Sequence, residues 1–169
     1  MNNLKLKHVI LSALIGAIYV AVTISFAEIS YGEIQFRISE VLTVLPLFSI
    51  AAIPGVTLGC LISNIYGVLY GNTMMPDVVF GTMATLIAGI TTYFIGKTKE
   101  KKIKMLFGPM PAVIANAIIV GIELTIFYKG TLFLNMLFVG IGEIVVCYGL
   151  GVPLIAALHK NDIYKKIFN

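Results

Sequence analysis

The sequence has few of the charged side chains that a water-soluble protein needs to cover its surface. Asp, Glu, Lys and Arg make up 12% of the 169 residues, whereas soluble domains contain about 25%. Hydrophobic residues make up 59%, and the mean hydropathy is +0.98. This composition excludes a water-soluble globule, and it excludes a disordered chain, which needs the opposite bias. We therefore predict one integral membrane domain over residues 1–169.

Cysteine and histidine are scarce, and neither residue type is positioned to form a disulfide framework, a metal site or a catalytic base. Cys60 and Cys147 lie in separate apolar runs without metal-ligand spacing, so neither a disulfide framework nor a metal site is expected. His8 and His159 fall at predicted helix ends far from the acidic residues, which is wrong for a metal site or a catalytic base. The GxxxxGK[ST] loop that cradles ATP phosphates is also missing. We expect no cofactor and no catalytic activity in this chain.

The sequence is rich in apolar runs, and six of them are predicted to cross the membrane as helices. Lipid offers no partner to free backbone groups, so helices are expected, and about 20 residues cross a hydrocarbon core of ~30 Å. The predicted spans are residues 9–27, 38–53, 55–70, 78–95, 107–128 and 132–158. The second span is short and contains Pro46, and a tight turn is predicted at Pro54 and Gly55. A re-entrant hairpin formed by the second and third runs is the alternative.

The basic residues are distributed unevenly between the two sides of a six-span chain. Ten of the 12 fall on the side that holds both termini, namely Lys5, Lys7, the five lysines of residues 97–104, Lys160, Lys165 and Lys166. The positive-inside rule then places both termini in the cytoplasm. Because the positive-inside rule accounts for the excess of basic residues that gives the net charge of +4, no nucleic-acid partner is expected.

Small residues recur at every fourth position along the first and third spans. The two stripes are Ala13, Ala17, Ala21 and Ser25, and Gly55, Gly59, Ser63, Gly67 and Gly71. Residues four apart share a helix face, and small ones let two helices approach closely. For the third span we favour packing within this chain. For the first span, packing within the chain and docking of a second membrane protein are equally compatible with the pattern.

Two glutamates lie deep inside predicted spans, where an ionised carboxylate is costly and by default marks a functional site. Glu123 and Glu143 are these residues, and Asn116 lies two helical turns before Glu123 on the same face. The three side chains are predicted to converge on a pocket that opens to the outside. The alternative is that each pairs with backbone or a hydroxyl group of a neighbouring helix, or is protonated.

The segment between the first two spans carries the chain's only arginine. Arg37 and Glu40 are three residues apart, so they can pair if the helix has already begun there. In the functional interpretation, Gln35, Arg37 and Glu40 line the mouth of a pocket, and the Gln35 amide binds the edge of a flat heterocycle. Asp77 follows Pro76 at a helix start, where a carboxylate can cap free N–H groups. We include Asp77 among the candidate binding residues.

The charge balance of these residues favours one class of ligand. A single arginine cannot neutralise Glu40, Glu123 and Glu143 together. Because an unpaired buried charge is expensive, the surplus favours a cationic ligand or one rich in N–H donors, and anions fit poorly.

The segment YGEIQFRISEVLTVLPLF (31–48) resembles the QueT family, the membrane substrate-binding (S) components of energy-coupling-factor (ECF) transporters for queuosine precursors. Supporting segments are GVTLGCLISN (55–64), PDVVFGTMATL (76–86), NAIIVGIEL (116–124) and VGIGE (139–143). The resemblance covers about residues 10–160.

The resemblance implies an all-α, six-helix S-component bundle in a prokaryotic plasma membrane, with both termini in the cytoplasm. It implies a complex with a transmembrane T component and two cytoplasmic ATPases, which would carry the ATPase activity. The family's alanine docking motif corresponds to Ala13, Ala17 and Ala21. The implied substrate is a 7-deazaguanine, namely 7-aminomethyl-7-deazaguanine (preQ1). We expect its binding residues to be Gln35, Arg37, Glu40, Asp77, Asn116, Glu123 and Glu143.

Other functions remain open at this point. The chain can be an S component for another cationic, vitamin-like solute. It can also be a channel or a stand-alone carrier that uses Glu123 and Glu143 as a proton relay. An intramembrane enzyme is less compatible with the sequence, because no catalytic group pairs with the acids.

Overall fold

The computed structural model describes residues 3–31, 36–128, 130–160 and 163–168, and it is 86% helix, with no strand in these ranges. The predicted all-α fold is therefore confirmed. Nine α-helices and one 3₁₀-helix follow one another in the described ranges: α1 (Asn3–Ser25), α2 (Ala27–Ser30), the 3₁₀-helix (Ile38–Leu47), α3 (Ala52–Leu69), α4 (Met75–Gly96), α5 (Lys101–Phe107), α6 (Met110–Tyr128), α7 (Leu132–Gly149), α8 (Gly151–His159) and α9 (Ile163–Phe168).

Within the described ranges, five helical segments are long and apolar enough to cross a membrane. They are Leu4–Ser25, Ala52–Leu69, Met75–Gly96, Lys101–Tyr128 and Leu132–His159. These segments correspond to five of the six predicted spans. The number of crossings and the side of the membrane that holds the termini stay predictions.

The second predicted span, residues 38–53, differs from the structure in length and in helix type. Its helical part is the ten-residue 3₁₀-helix Ile38–Leu47, which at about 2.0 Å per residue extends roughly 20 Å, less than the ~30 Å hydrocarbon core. Pro46, inside this helix, has no N–H to donate. Seven of the ten residues are buried, and the helix packs against α1, α3, α4, α7 and α8. The segment is therefore part of the protein interior, and it carries Glu40 into the bundle.

One local prediction about a chain break was wrong. Pro54 and Gly55 do not form a turn, because both lie in the first turn of α3, where a proline removes no helical hydrogen bond. The last predicted span, residues 132–158, corresponds to the apolar segment Leu132–His159, within which α7 ends and α8 begins at Leu150. Pro153 cannot donate to the carbonyl group four residues earlier, which accounts for the break.

The small-residue stripe of α3 packs against α1, as predicted. Gly55 and Gly59 are buried, and a Cβ atom added to Gly59 would lie 2.6 Å from the Cβ atom of Tyr19. The missing side chain therefore makes room for the Tyr19 ring, which is fully buried. Gly71 follows α3 with a φ of 73°, a conformation that glycine adopts without strain.

The close packing at Gly59 predicts a loss of stability in Gly59→Ala. We expect its thermal unfolding midpoint in detergent to fall, because overpacking a tight contact costs about 1–3 kcal/mol. Gly149→Ala is the matched control, since a Cβ atom there meets nothing within 4 Å. Circular dichroism melting of both variants measures the difference. Equal midpoints for the two variants would contradict this account of the α1–α3 contact.

The alanine stripe of α1 lies on the opposite side of that helix. Ala13, Ala17, Ala21 and Ser25 are exposed, whereas Tyr19 faces α3. The stripe therefore does not pack within this bundle, which removes one of its two interpretations.

Candidate functional site

Six of the seven candidate binding residues are buried in the structure, and Gln35 lies outside the described residues. The exposed fractions of their side chains are 7% for Arg37, 1% for Glu40, 3% for Asp77, 5% for Asn116, 0% for Glu123 and 5% for Glu143. The 3₁₀-helix contacts α4 and α7, and α6 packs between α4 and α7. Residues far apart in the sequence thereby come together in one site.

Glu40 has one satisfied and one unsatisfied carboxyl oxygen. The Tyr19 hydroxyl group donates a hydrogen bond to Glu40 Oε1. Glu40 Oε2 is buried and has no hydrogen-bond partner among the described residues. Because Tyr19 is itself fixed against Gly59, the carboxyl group has a defined orientation, and Oε2 is left to accept from a ligand.

Arg37, the only arginine, forms no ion pair with Glu40 within the described ranges, so the pairing that we considered as an alternative is absent. Its Nη1 atom donates to Cys60 Sγ at 3.6 Å, and its Cζ atom lies 5.6 Å from the centroid of the Tyr31 ring. The Tyr31 hydroxyl group donates to the carbonyl oxygen of Ser63 at 2.5 Å, and burial raises the pKa of this phenol. Arg37 Nε has no partner in the described part of the chain. The guanidinium group is thus positioned by a thiol and an aromatic ring, and it forms no hydrogen bond to a carboxyl group among the described residues.

Glu143 has a protein donor at each carboxyl oxygen. Asn116 Nδ2 donates to Oε1 at 3.0 Å, and Cys147 Sγ donates to Oε2 at 3.2 Å. Asn116 and Glu143 therefore come together as predicted, whereas their convergence with Glu123 on an outward-opening pocket stays a prediction. The observed partners of Glu143 are an amide of α6 and a thiol of its own helix, not the backbone or hydroxyl group that we considered as an alternative.

Asp77 does not cap α4, contrary to the helix-start prediction. Met74 is the N-cap residue, and neither carboxyl oxygen of Asp77 accepts a hydrogen bond from any described residue. The two carboxyl oxygens of Glu123 are equally without hydrogen-bond partners among the described residues. The backbone N–H of Met74 donates to the Tyr128 hydroxyl oxygen at 3.1 Å, which ties the end of α6 to the start of α4. This tie brings the two acids together.

Sequence reasoning missed two polar residues of the site. Asn64, in α3, is fully buried and donates through Nδ2 to the carbonyl oxygen of Asp77 at 2.8 Å and to Cys60 Sγ at 3.4 Å. Asn116 was selected by its spacing from Glu123, whereas Asn64 has no acid at helical spacing; its signal is that it is a lone amide in an apolar run. Tyr19 gave no such signal, because its contact with Glu40 joins different helices.

The arrangement brings together several buried carboxyl groups that have no salt-bridge partner in the described part of the chain. Glu40, Asp77, Glu123 and Glu143, here called the acid cluster, share one guanidinium group, and no salt bridge involves them within the described ranges. Buried carboxyl oxygens without donors are costly. The site is therefore suited to a ligand that brings positive charge or N–H groups.

Comparisons with known proteins identify similar sequences. A family model described as QueT transporter matches residues 9–160. The "Queuosine precursor transporter QueT" of Lactococcus lactis subsp. cremoris (strain MG1363) is 36% identical over 89 residues. The aligned part covers 52% of this chain and 50% of that protein, so the match spans about half of the relative's length. No solved structure matches.

Proposed function

The chain belongs to the QueT transporter family, and from this premise we propose that it is the S component of an ECF transporter that captures a 7-deazaguanine queuosine precursor from outside. The chain is a multi-pass membrane protein. Within the 7-deazaguanine class, the proposed substrate is 7-aminomethyl-7-deazaguanine.

The acid cluster is the observation that carries this proposal. The aminomethyl group of the proposed substrate is cationic at neutral pH, and its guanine-like edge presents several N–H donors. Both features complement buried carboxyl groups that outnumber the single nearby guanidinium. An anionic ligand would add to the surplus negative charge.

The substrate is proposed to sit between the outer halves of α4, α6 and α7. Glu123 or Glu143 accepts hydrogen bonds from the guanine-like edge, and another acid pairs with the ammonium group. Asn116 and Gln35 complete the hydrogen bonds. Residues 28–38 close over the site and exclude water, which strengthens each polar contact.

The transport cycle needs partners in this proposal. The chain crosses the membrane six times, with residues 38–53 as the short second crossing and both termini in the cytoplasm. A T component docks on Ala13, Ala17 and Ala21, whose exposure supports an external partner. Two cytoplasmic ATPases supply the energy for inward release. This chain itself catalyses no reaction.

A thermal-shift measurement on the purified chain tests the substrate class. Ligand at about 100 times its Kd adds ~2.7 kcal/mol of stability, which corresponds to roughly 5–10 °C for a chain of this size. We expect this shift with 7-aminomethyl-7-deazaguanine and none with thiamin, a cation of different shape. A shift with thiamin alone would overturn the deazaguanine assignment. Uptake by the chain alone, driven by a proton gradient, would overturn the ECF assignment.

A further inference from the structure

Asp77 and Glu123 form the least satisfied part of the acid cluster. Asp77 is 3% exposed and Glu123 is fully buried, and none of their four carboxyl oxygens has a hydrogen-bond partner among the described residues. The hydrogen bond from the Met74 N–H group to the Tyr128 hydroxyl oxygen ties the start of α4 to the end of α6, and this brings Asp77 and Glu123 near each other. Like charges side by side disfavour ionisation of both groups, and a cation between them removes that conflict.

A third side chain with an unsatisfied oxygen lies beside this pair. Asn64 is fully buried, and its Nδ2 atom donates to the carbonyl oxygen of Asp77 at 2.8 Å. Because a carbonyl oxygen only accepts, this contact fixes which end of the Asn64 side chain is the amide nitrogen. The remaining atom, Asn64 Oδ1, is buried and has no donor in the described part of the chain. Three side chains from α3, α4 and α6 thus contribute only acceptors.

The rest of the acid cluster has donors of its own. Glu143 accepts from Asn116 and Cys147, and Glu40 accepts from Tyr19. Arg37 donates to Cys60, and none of its hydrogen bonds reaches Asp77 or Glu123. The cluster therefore has a part with protein donors and a part without them.

From this division we infer that Asp77, Glu123 and Asn64 Oδ1 form a separate subsite for the ammonium group of the ligand, and that the guanine-like edge binds at Glu40 and Glu143. This inference rests on the proposed function. An ammonium group presents three donors on a compact charge, which suits acceptors arriving from three helices. The edge of a heterocycle presents its donors in one plane, which suits the carboxyl groups that the protein already orients.

Two ligands of similar size, one cationic and one neutral, distinguish the role of the ammonium subsite from that of Glu40 and Glu143. Affinities of the purified full chain are measured by isothermal titration calorimetry for 7-aminomethyl-7-deazaguanine and for its neutral 7-methyl counterpart. Removing one partner of a buried charge pair costs about 2–5 kcal/mol, so Asp77→Asn and Glu123→Gln should each weaken binding of the cation by at least about 30-fold. We expect neither substitution to change the affinity for the neutral ligand by more than about threefold.

Glu143→Gln is the matched control, because it also replaces a buried carboxyl group by an amide. It should weaken binding of both ligands by similar factors and so preserve the preference for the cation. A preference that survives in both Asp77→Asn and Glu123→Gln overturns the subsite, as does a preference lost in Glu143→Gln. If one subsite variant fails to fold, judged by its melting curve, the other carries the test.

Two further outcomes distinguish this inference from the proposed function. If the wild-type chain binds neither deazaguanine, the proposed function itself fails. If Na⁺ or Ca²⁺ without ligand stabilises the wild type, and Asp77→Asn abolishes this effect, the subsite holds an inorganic cation and the ammonium assignment is overturned.

Discussion

Replacing Ala17 by tryptophan is expected to abolish uptake by the assembled transporter while leaving ligand affinity unchanged. Ala17 is exposed in the middle of the alanine stripe of α1, between Ala13 and Ala21. A small-residue interface depends on close approach of two helices, and an indole ring keeps the partner helix away. The proposed ligand site lies on the other side of α1, where Tyr19 contacts Glu40, so the substitution is not expected to reach it.

This result is measured as uptake of labelled ligand in cells that also contain the T component and the ATPases. We expect a loss of about 100-fold or more, equivalent to ~3 kcal/mol of docking free energy. Co-purification with the T component should be lost as well, and calorimetry should give the wild-type Kd. Val145→Trp is the control, because Val145 is 53% exposed on α7, away from α1. Wild-type uptake by Ala17→Trp, or equal loss in the control, would contradict the docking role.

The sequence predicted the long helices well, and the short one poorly, for a physical reason. A run of about 20 apolar residues has few ways to be stable except as a spanning helix. The shorter run 38–53 is also apolar, but hydropathy cannot distinguish a lipid-facing segment from one buried in protein. Its polar residues are all buried in the bundle, namely Ser39, Glu40, Thr43 and Ser49. Residues of this kind inside a short apolar run are the signal that points to the protein interior.

The acidic residues of the site could be predicted, but their partners could not. Burying a charge in a membrane is costly, so a glutamate inside an apolar run, such as Glu123 or Glu143, is identified as a functional candidate from the sequence alone. The Arg37–Glu40 pair was considered from helical spacing, which requires Arg37 to be helical. In the structure, Arg37 precedes the 3₁₀-helix with φ −81° and ψ 91°, an extended conformation, so the spacing rule does not apply. Contacts such as Tyr19–Glu40 depend on how helices pack, which spacing along one chain does not encode.

Glu40→Gln is expected to raise the Kd for 7-aminomethyl-7-deazaguanine by about 100-fold, or ~3 kcal/mol. The introduced glutamine side chain would keep an oxygen that accepts from the Tyr19 hydroxyl group. It would place an NH₂ group where Glu40 Oε2, buried and without a donor, now lies. A donor would then face the N–H groups of the ligand, so one charged hydrogen bond is lost and two donors are left unpaired. Calorimetry measures the Kd, and a melting curve checks that the variant is folded.

Tyr19→Phe is the matched variant, because it removes only the hydroxyl group that orients Glu40. We expect a smaller effect, about tenfold, since one hydrogen bond to a charged group is worth about 1.5–3 kcal/mol and Glu40 Oε2 stays available. If Tyr19 acts on the ligand only through Glu40, its effect should largely vanish in the Glu40→Gln background, and the double variant should bind about as weakly as Glu40→Gln alone. Additive effects would mean that Tyr19 influences binding by another route, and wild-type affinity in Glu40→Gln would remove Glu40 from the site.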